Sequence, residues 1–288
     1  MSTGQVEQVG RVGQVGQVRR VRQIALLLTA LAIPLPFTPS AAAQTCNGMP
    51  GPAGTIELKQ GTMTRIFVVR VPAGYDGRTP LPIVIAFHPG GMSAQYMQGR
   101  VPVHRVWPEA IAVFPEGFPN IGGGRASLQP VWQRAPGDME DRDLAYFDQM
   151  IGWLRANHCF DARKLFVMGY SNGAGFTSVL ACERASLIAG VAIASGRLAC
   201  APAEAKPTIF SHGLSDATIP YSNGVEAAAA WSSRNKCGAP PKRGSPGCFA
   251  ADSCSAAPVT MCTFEGGHEY HEPFTKTFVD FFKRSMIK

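Results

Sequence analysis

The sequence predicts an α/β fold, a mostly parallel central sheet covered by helices on both faces. Short, continuous apolar runs recur along the chain, as expected of strands buried on both sides. Stretches of helical length alternate with them, the order that places strands parallel and lays helices over the sheet. At 288 residues, less a leader, the chain suits one domain with a full core.

The first strand is read over residues 62–71, rich in β-branched and aromatic residues and closed by Pro72, Ala73 and Gly74. The stretch "LPIVIAFHPGG" carries the second over residues 83–87. Residues 110–114, 165–169, 190–194, 208–211 and 259–264 repeat the pattern. Helices are expected over 144–157, 174–184, 225–234 and 273–286. In such a sheet the functional residues collect at the carboxyl ends of the strands.

A different texture precedes these elements. A V-G-Q near-repeat over residues 9–18 is low in complexity and too polar for a core. Arg19, Arg20 and Arg22, an apolar run at 24–33 and the patch Ser40-Ala41-Ala42-Ala43 then follow in the order of a secretory signal. The run is too short to span a membrane. Residues 1–44 are therefore expected to be leader, and 45–288 the domain, exported and free of the membrane after cleavage. Cleavage leaves 23 basic against 19 acidic residues, lowering the net charge from +7 to +4. With no Lys/Arg cluster, nothing suggests a nucleic-acid partner. All eight cysteines lie beyond the leader, and an even count in an exported chain implies disulfides. No C-x-x-C and no Cys/His pair at ligand spacing argues for a metal.

The stretch "FVMGYSNGAGF" holds Ser171 between Gly169 and Gly173, where the strand at 165–169 meets a helix. Glycines there permit a tight turn that would present the hydroxyl above the sheet, the pattern of a nucleophile elbow. A serine hydroxyl needs a base, and the base needs an orienting acid. Asp216 follows the strand at 208–211 and His268 follows the strand at 259–264, giving the order Ser171, Asp216, His268. An oxyanion would be met by the backbone N–H of Asn172 and a second from Gly90 or Gly91 in "FHPGG". His88 is read as shaping that loop, His212 as orienting the Asp216 loop, and His271 as a surface residue. Asp138, Asp141 and Asp143 are read as favouring the dipole of the following helix.

The segments "RIFVVRVPAGYD", "FHPGG", "CFDARKLFVMGYSNGAGFTSVLAC", "SHGLSDATIPY" and "TFEGGH", in this order, resemble the secreted feruloyl esterase and polyhydroxybutyrate depolymerase group of carbohydrate-esterase-like α/β-hydrolases. The resemblance runs over about residues 46–284 and implies an α/β-hydrolase fold without a cofactor. It places Ser171, Asp216 and His268 on the triad positions and Gly90 on the oxyanion loop. Two departures stand out: His88-Pro89 replaces a His-Gly pair, and His268-Glu269-Tyr270-His271 replaces a His-x-Trp-Pro pattern. The likeness of the elbow segment implies a phenolic ester substrate, with Trp132, Phe118 and Tyr270 as candidate apolar wall. In this fold the helix after the nucleophile runs back along its strand, which suggests Cys159 with Cys182. Cys237 with Cys254, Cys248 with Cys262, and Cys46 with Cys200 complete the expected pairing.

Overall fold

Residues that the sequence marks as buried strands assemble side by side in the computed structural model, which describes residues 46–120 and 127–287. The strands are β1 (Gly54–Gln60), β2 (Met63–Arg70), β3 (Leu81–Phe87), β4 (Ile111–Pro115), β5 (Phe118–Asn120), β6 (Ser127–Val131), β7 (Phe160–Tyr170), β8 (Gly190–Ala194), β9 (Thr208–Gly213), β10 (Gly247–Ala250) and β11 (Val259–Phe264). Nine form one sheet in the order β1-β2-β4-β3-β7-β8-β9-β11-β10, while β5 and β6 pair in a separate hairpin. From β4 to β11 the neighbours run parallel, and β1, β2 and β10 join antiparallel at the two margins. The expected leader lies outside the described residues.

Alternation along each central strand sends successive side chains to opposite layers. Ile83, Ile85 and Phe87 of β3 enter a core with α3 (Arg142–Asn157), α4 (Asn172–Glu183) and α5 (Tyr221–Arg234), numbered after two short helices, α1 (Ala94–Arg100) and α2 (Val103–Val106). Val84 and Ala86 enter the other core, beneath α1, α2 and α6 (Phe274–Ser285). Each central strand is apolar on both faces for this reason.

The sequence did not announce the marginal strands β1 and β10, the β5–β6 hairpin or the short helices α1 and α2. In β1 exposure alternates residue by residue, so no apolar run marks it, and its register with β2 comes from a hairpin that pairs Gln60 with Met63. The strand β7 starts at Phe160, five residues before the expected start, because Leu81 of β3 pairs with Phe160 across an irregular step.

The disulfide pairing needs correction at two of four bridges. Cys237–Cys254 and Cys248–Cys262 form as expected, the second between residues directly opposed on β10 and β11. Cys159, however, bonds to Cys46, and Cys182 to Cys200. The long start of β7 explains the first: Cys159 is held by Leu81 and by the Tyr75 hydroxyl, beside the incoming amino-terminal segment. The chain after β8 explains the second, since it returns along α4 with Ala199 N–H donating to Ser178 Oγ, which brings Cys200 to Cys182.

Candidate active site

The turn between β7 and α4 places Ser171 at φ 54°, ψ −117°, a conformation that side-chain-bearing residues rarely adopt. It is held from both sides: Ser171 N–H donates to Ala194 O at 2.9 Å, and Gly175 N–H donates to Ser171 O at 3.0 Å. The flanking glycines are required by proximity. A Cβ on Gly173 would stand 2.3 Å from Phe87 O, and one on Gly169 would stand 2.3 Å from Gly173 O.

His268 and Asp216 reach this turn from the ends of β11 and β9. Ser171 Oγ lies 2.7 Å from His268 Nε2, and His268 Nδ1 lies 2.7 Å from Asp216 Oδ2. An ionised carboxylate can only accept, so Nδ1 carries the proton and Nε2 accepts from the serine hydroxyl. Asp216 is buried, and its second oxygen accepts from Thr218 and Ile219 N–H, both at 2.9 Å. His212 donates from Nε2 to Ile219 O at 2.8 Å, with Asp216 Oδ2 3.3 Å away. Burial holds the His212 pKa below its ordinary value, so it braces this loop as a neutral ring. Tyr170 stacks on the His268 ring at 5.5 Å and donates its hydroxyl to His268 O.

The other wall is the β3 loop joined to the β5–β6 hairpin. A Cβ on Gly90 would lie 3.4 Å from Asn172 Cβ, directly against the residue after Ser171. The Asn172 side chain clamps the hairpin: Trp132 N–H donates to Oδ1 at 2.8 Å, and Nδ2 donates to Trp132 O at 3.0 Å. His88 is fully buried, donating from Nδ1 to Pro89 O and accepting Gly117 N–H at Nε2. Burial pulls its pKa down to about 4.

No family model matches the chain. Curated relatives do: feruloyl esterase C of Emericella nidulans is 28% identical over 262 residues, covering 85% of this chain and 91% of the relative. Probable feruloyl esterase C of Aspergillus clavatus is 27% identical over 265 residues, with 85% and 90% covered. Feruloyl esterase B of Piromyces equi is 24% identical over 70% of this chain, which spans only 42% of that protein. An acetyl xylan esterase from Aspergillus awamori superposes with a TM-score of 0.62 at 15% identity, over 80% of this chain and 99% of that one. A ferulic acid esterase gives 0.61 at 13% identity, over 82% and 99%. The chain has the α/β-hydrolase fold and is similar in sequence to feruloyl esterases.

Several of the expected site residues do other work in this fold. Gly91 N–H donates to Pro130 O at 2.8 Å, so it is spent on the hairpin, and Gly90 is left as the loop's candidate donor. Trp132 is wholly buried, stacked on Phe176 at 5.2 Å with its indole N–H on His88 O, and is a core residue rather than a substrate wall. Tyr270 is also buried, its hydroxyl bonded to Thr275. Phe118 stays half-exposed, under the Arg142 guanidinium. His271 is half-exposed and stacks on Phe264.

Of the three aspartates before α3, Asp143 is no mere dipole partner. It is buried against Arg65 at 2.9 Å and accepts Gln133 N–H, while Arg65 stacks on Tyr146 at 4.0 Å, behind Trp132. Asp138 and Asp141 accept loop N–H groups at Arg134, Ala135 and Gly137. The available signal was Arg65 itself, a cation at the head of the apolar run in "RIFVVR".

Proposed function

We propose that the protein is an exported serine esterase that cleaves carboxylic esters of phenolic acids through an acyl-enzyme. The unbroken hydrogen-bond chain Ser171–His268–Asp216 at a strained elbow carries this reading. Ser171 Oγ attacks the ester carbonyl as its proton passes to His268 Nε2. Asp216 stabilises the imidazolium, and that proton then goes to the leaving alcohol. Water, deprotonated by His268, releases the acid in the same way. The oxyanion is received by the backbone N–H groups of Asn172 and Gly90, fixed before the reaction by the Asn172 clamp.

The names of the relatives support the phenolic acyl group, and four disulfides support an oxidising destination and hence the leader at 1–44. Met92 and Tyr96, both exposed, follow the Gly90 loop directly and offer apolar surface where Trp132 and Tyr270 do not. The test compares kcat/KM on methyl ferulate and on a short acetyl ester with clearing of a polyhydroxybutyrate film. Wild-type protein turns over methyl ferulate fastest. Ser171→Ala folds but loses at least about a thousandfold in kcat, and a fluorophosphonate labels only the wild type. Undiminished hydrolysis in Ser171→Ala overturns the mechanism, and rapid film clearing without methyl ferulate turnover replaces the phenolic substrate with a polyester.

A further inference from the structure

On the α5 side of the sheet, a cleft of about 120 Å³ with no triad residue in its lining is formed by Tyr221, Val225, Ala228 and Ala229 of α5, by Met261 of β11, and by the loop from Pro240 to Arg243. The α5 residues share one helix face. Small side chains at 228 and 229 leave space under the loop, which does not fill it. The loop is anchored on either side: Cys237–Cys254 and Cys248–Cys262 bracket it, Gly238 N–H donates to Asp252 O, and Gly244 N–H reaches the Tyr221 hydroxyl. Covalent and hydrogen bonds therefore anchor this roof over α5.

Size and charge together indicate the occupant. An apolar cavity of about 150 Å³ accepts a benzene ring, so this cleft suits a single aromatic ring open to solvent on one side. At the mouth stand Lys242 and Arg243, both exposed, and neither forms an ion pair among the described residues. We propose that this cleft is a second binding site, for a single-ring aromatic carboxylate, whose ring lies between α5 and the Pro240–Pro241 segment and whose carboxylate meets Lys242 and Arg243. The bound ring would touch Tyr221, which meets His212 edge-on at 5.9 Å and so backs the loop that holds Asp216. The proposal does not depend on which ester the enzyme cleaves.

Titration of the full chain with benzoate, and with neutral benzyl alcohol as comparison, followed by saturation-transfer NMR, tests it. Two variants locate the site: Lys242→Glu combined with Arg243→Glu reverses the exposed charges, and Ala229→Leu fills the cleft from a solvent-facing helix position. Benzoate is expected to bind the wild type, to weaken at least about tenfold in the charge-reversed variant, and to be lost in Ala229→Leu. Benzyl alcohol should be lost only in Ala229→Leu. Ester hydrolysis, unchanged in both variants, reports intact folding. Benzoate binding equal in wild type and both variants would overturn the proposal, as would its absence from the wild type.

Discussion

Strain at Ser171 is tolerable only because neighbouring groups fix it, and Asn172 shows how one side chain does two tasks. Its amide satisfies both backbone groups of Trp132, while its own N–H follows the nucleophile. In Asn172→Ala, Trp132 N–H and O lose their partners within a half-buried site, so unfolding free energy should fall by about 2 kcal/mol. The slackened hairpin should also lower kcat. Urea unfolding alongside steady-state kinetics checks both, and unchanged stability would show that the clamp is idle. His88 supplies a pH test. Folded, its pKa is near 4 against an ordinary value of 6.5. The unfolded chain therefore binds a proton that the folded one refuses, and stability falls as pH drops from about 6.5 towards 4, by about 3 kcal/mol from this residue. Burial lowers His158 and His212 in the same direction. Replacing His88 with Gln should flatten the slope of stability between pH 7 and 4.5 while lowering stability at pH 7, and an unaltered slope would contradict the assignment.

Elements differ in what holds them. The helix α6 lies where the sequence predicts one over 273–286, and its apolar face, Phe274, Phe278, Val279, Phe281 and Phe282, is buried in the second core. Phe282 stacks on Phe166 of β7 at 4.5 Å, so α6 supports the strand that ends in the elbow. Phe282→Ala should destabilise by about 3–5 kcal/mol, measured by thermal unfolding, with kcat per folded molecule near wild type. The β5–β6 hairpin lacks such a face. It is held by Asn172, by Gly91 N–H on Pro130 O, and by Arg142, which donates to the Phe118 and Pro119 carbonyls. Bonds of this kind leave no periodic trace in a sequence, which is why neither the hairpin nor the burial of Trp132 was legible.

Across the whole molecule, the four bridges act on very different lengths of chain. Cys46–Cys159 spans 113 residues, whereas Cys248–Cys262 spans 14 and joins strands that already pair. Loop-closure entropy makes the long bridge worth about 2 kcal/mol more than the short one. Paired Cys→Ala replacement at 46 and 159 should therefore lower the urea midpoint further than replacement at 248 and 262. The reverse order would mean that the antiparallel margin, not the unfolded chain, dominates.

The sequence by itself determined the central strands, because each is buried on two faces and must be apolar throughout, and it placed Ser171, Asp216 and His268 at the carboxyl ends of β7, β9 and β11, where His268 bonds to both partners. Chain order and turn chemistry carry that information locally. Tertiary structure alone decided which cysteines meet, because Cys159 and Cys182 sit on elements whose lengths and returning loops set their neighbours. It also decided that Gly91 serves the hairpin, that Trp132 and Tyr270 are core, and that Arg65 meets Asp143. Each of these depends on which surfaces cover one another, and a ring or a cation is the same letter whether it faces substrate or packs beneath the site.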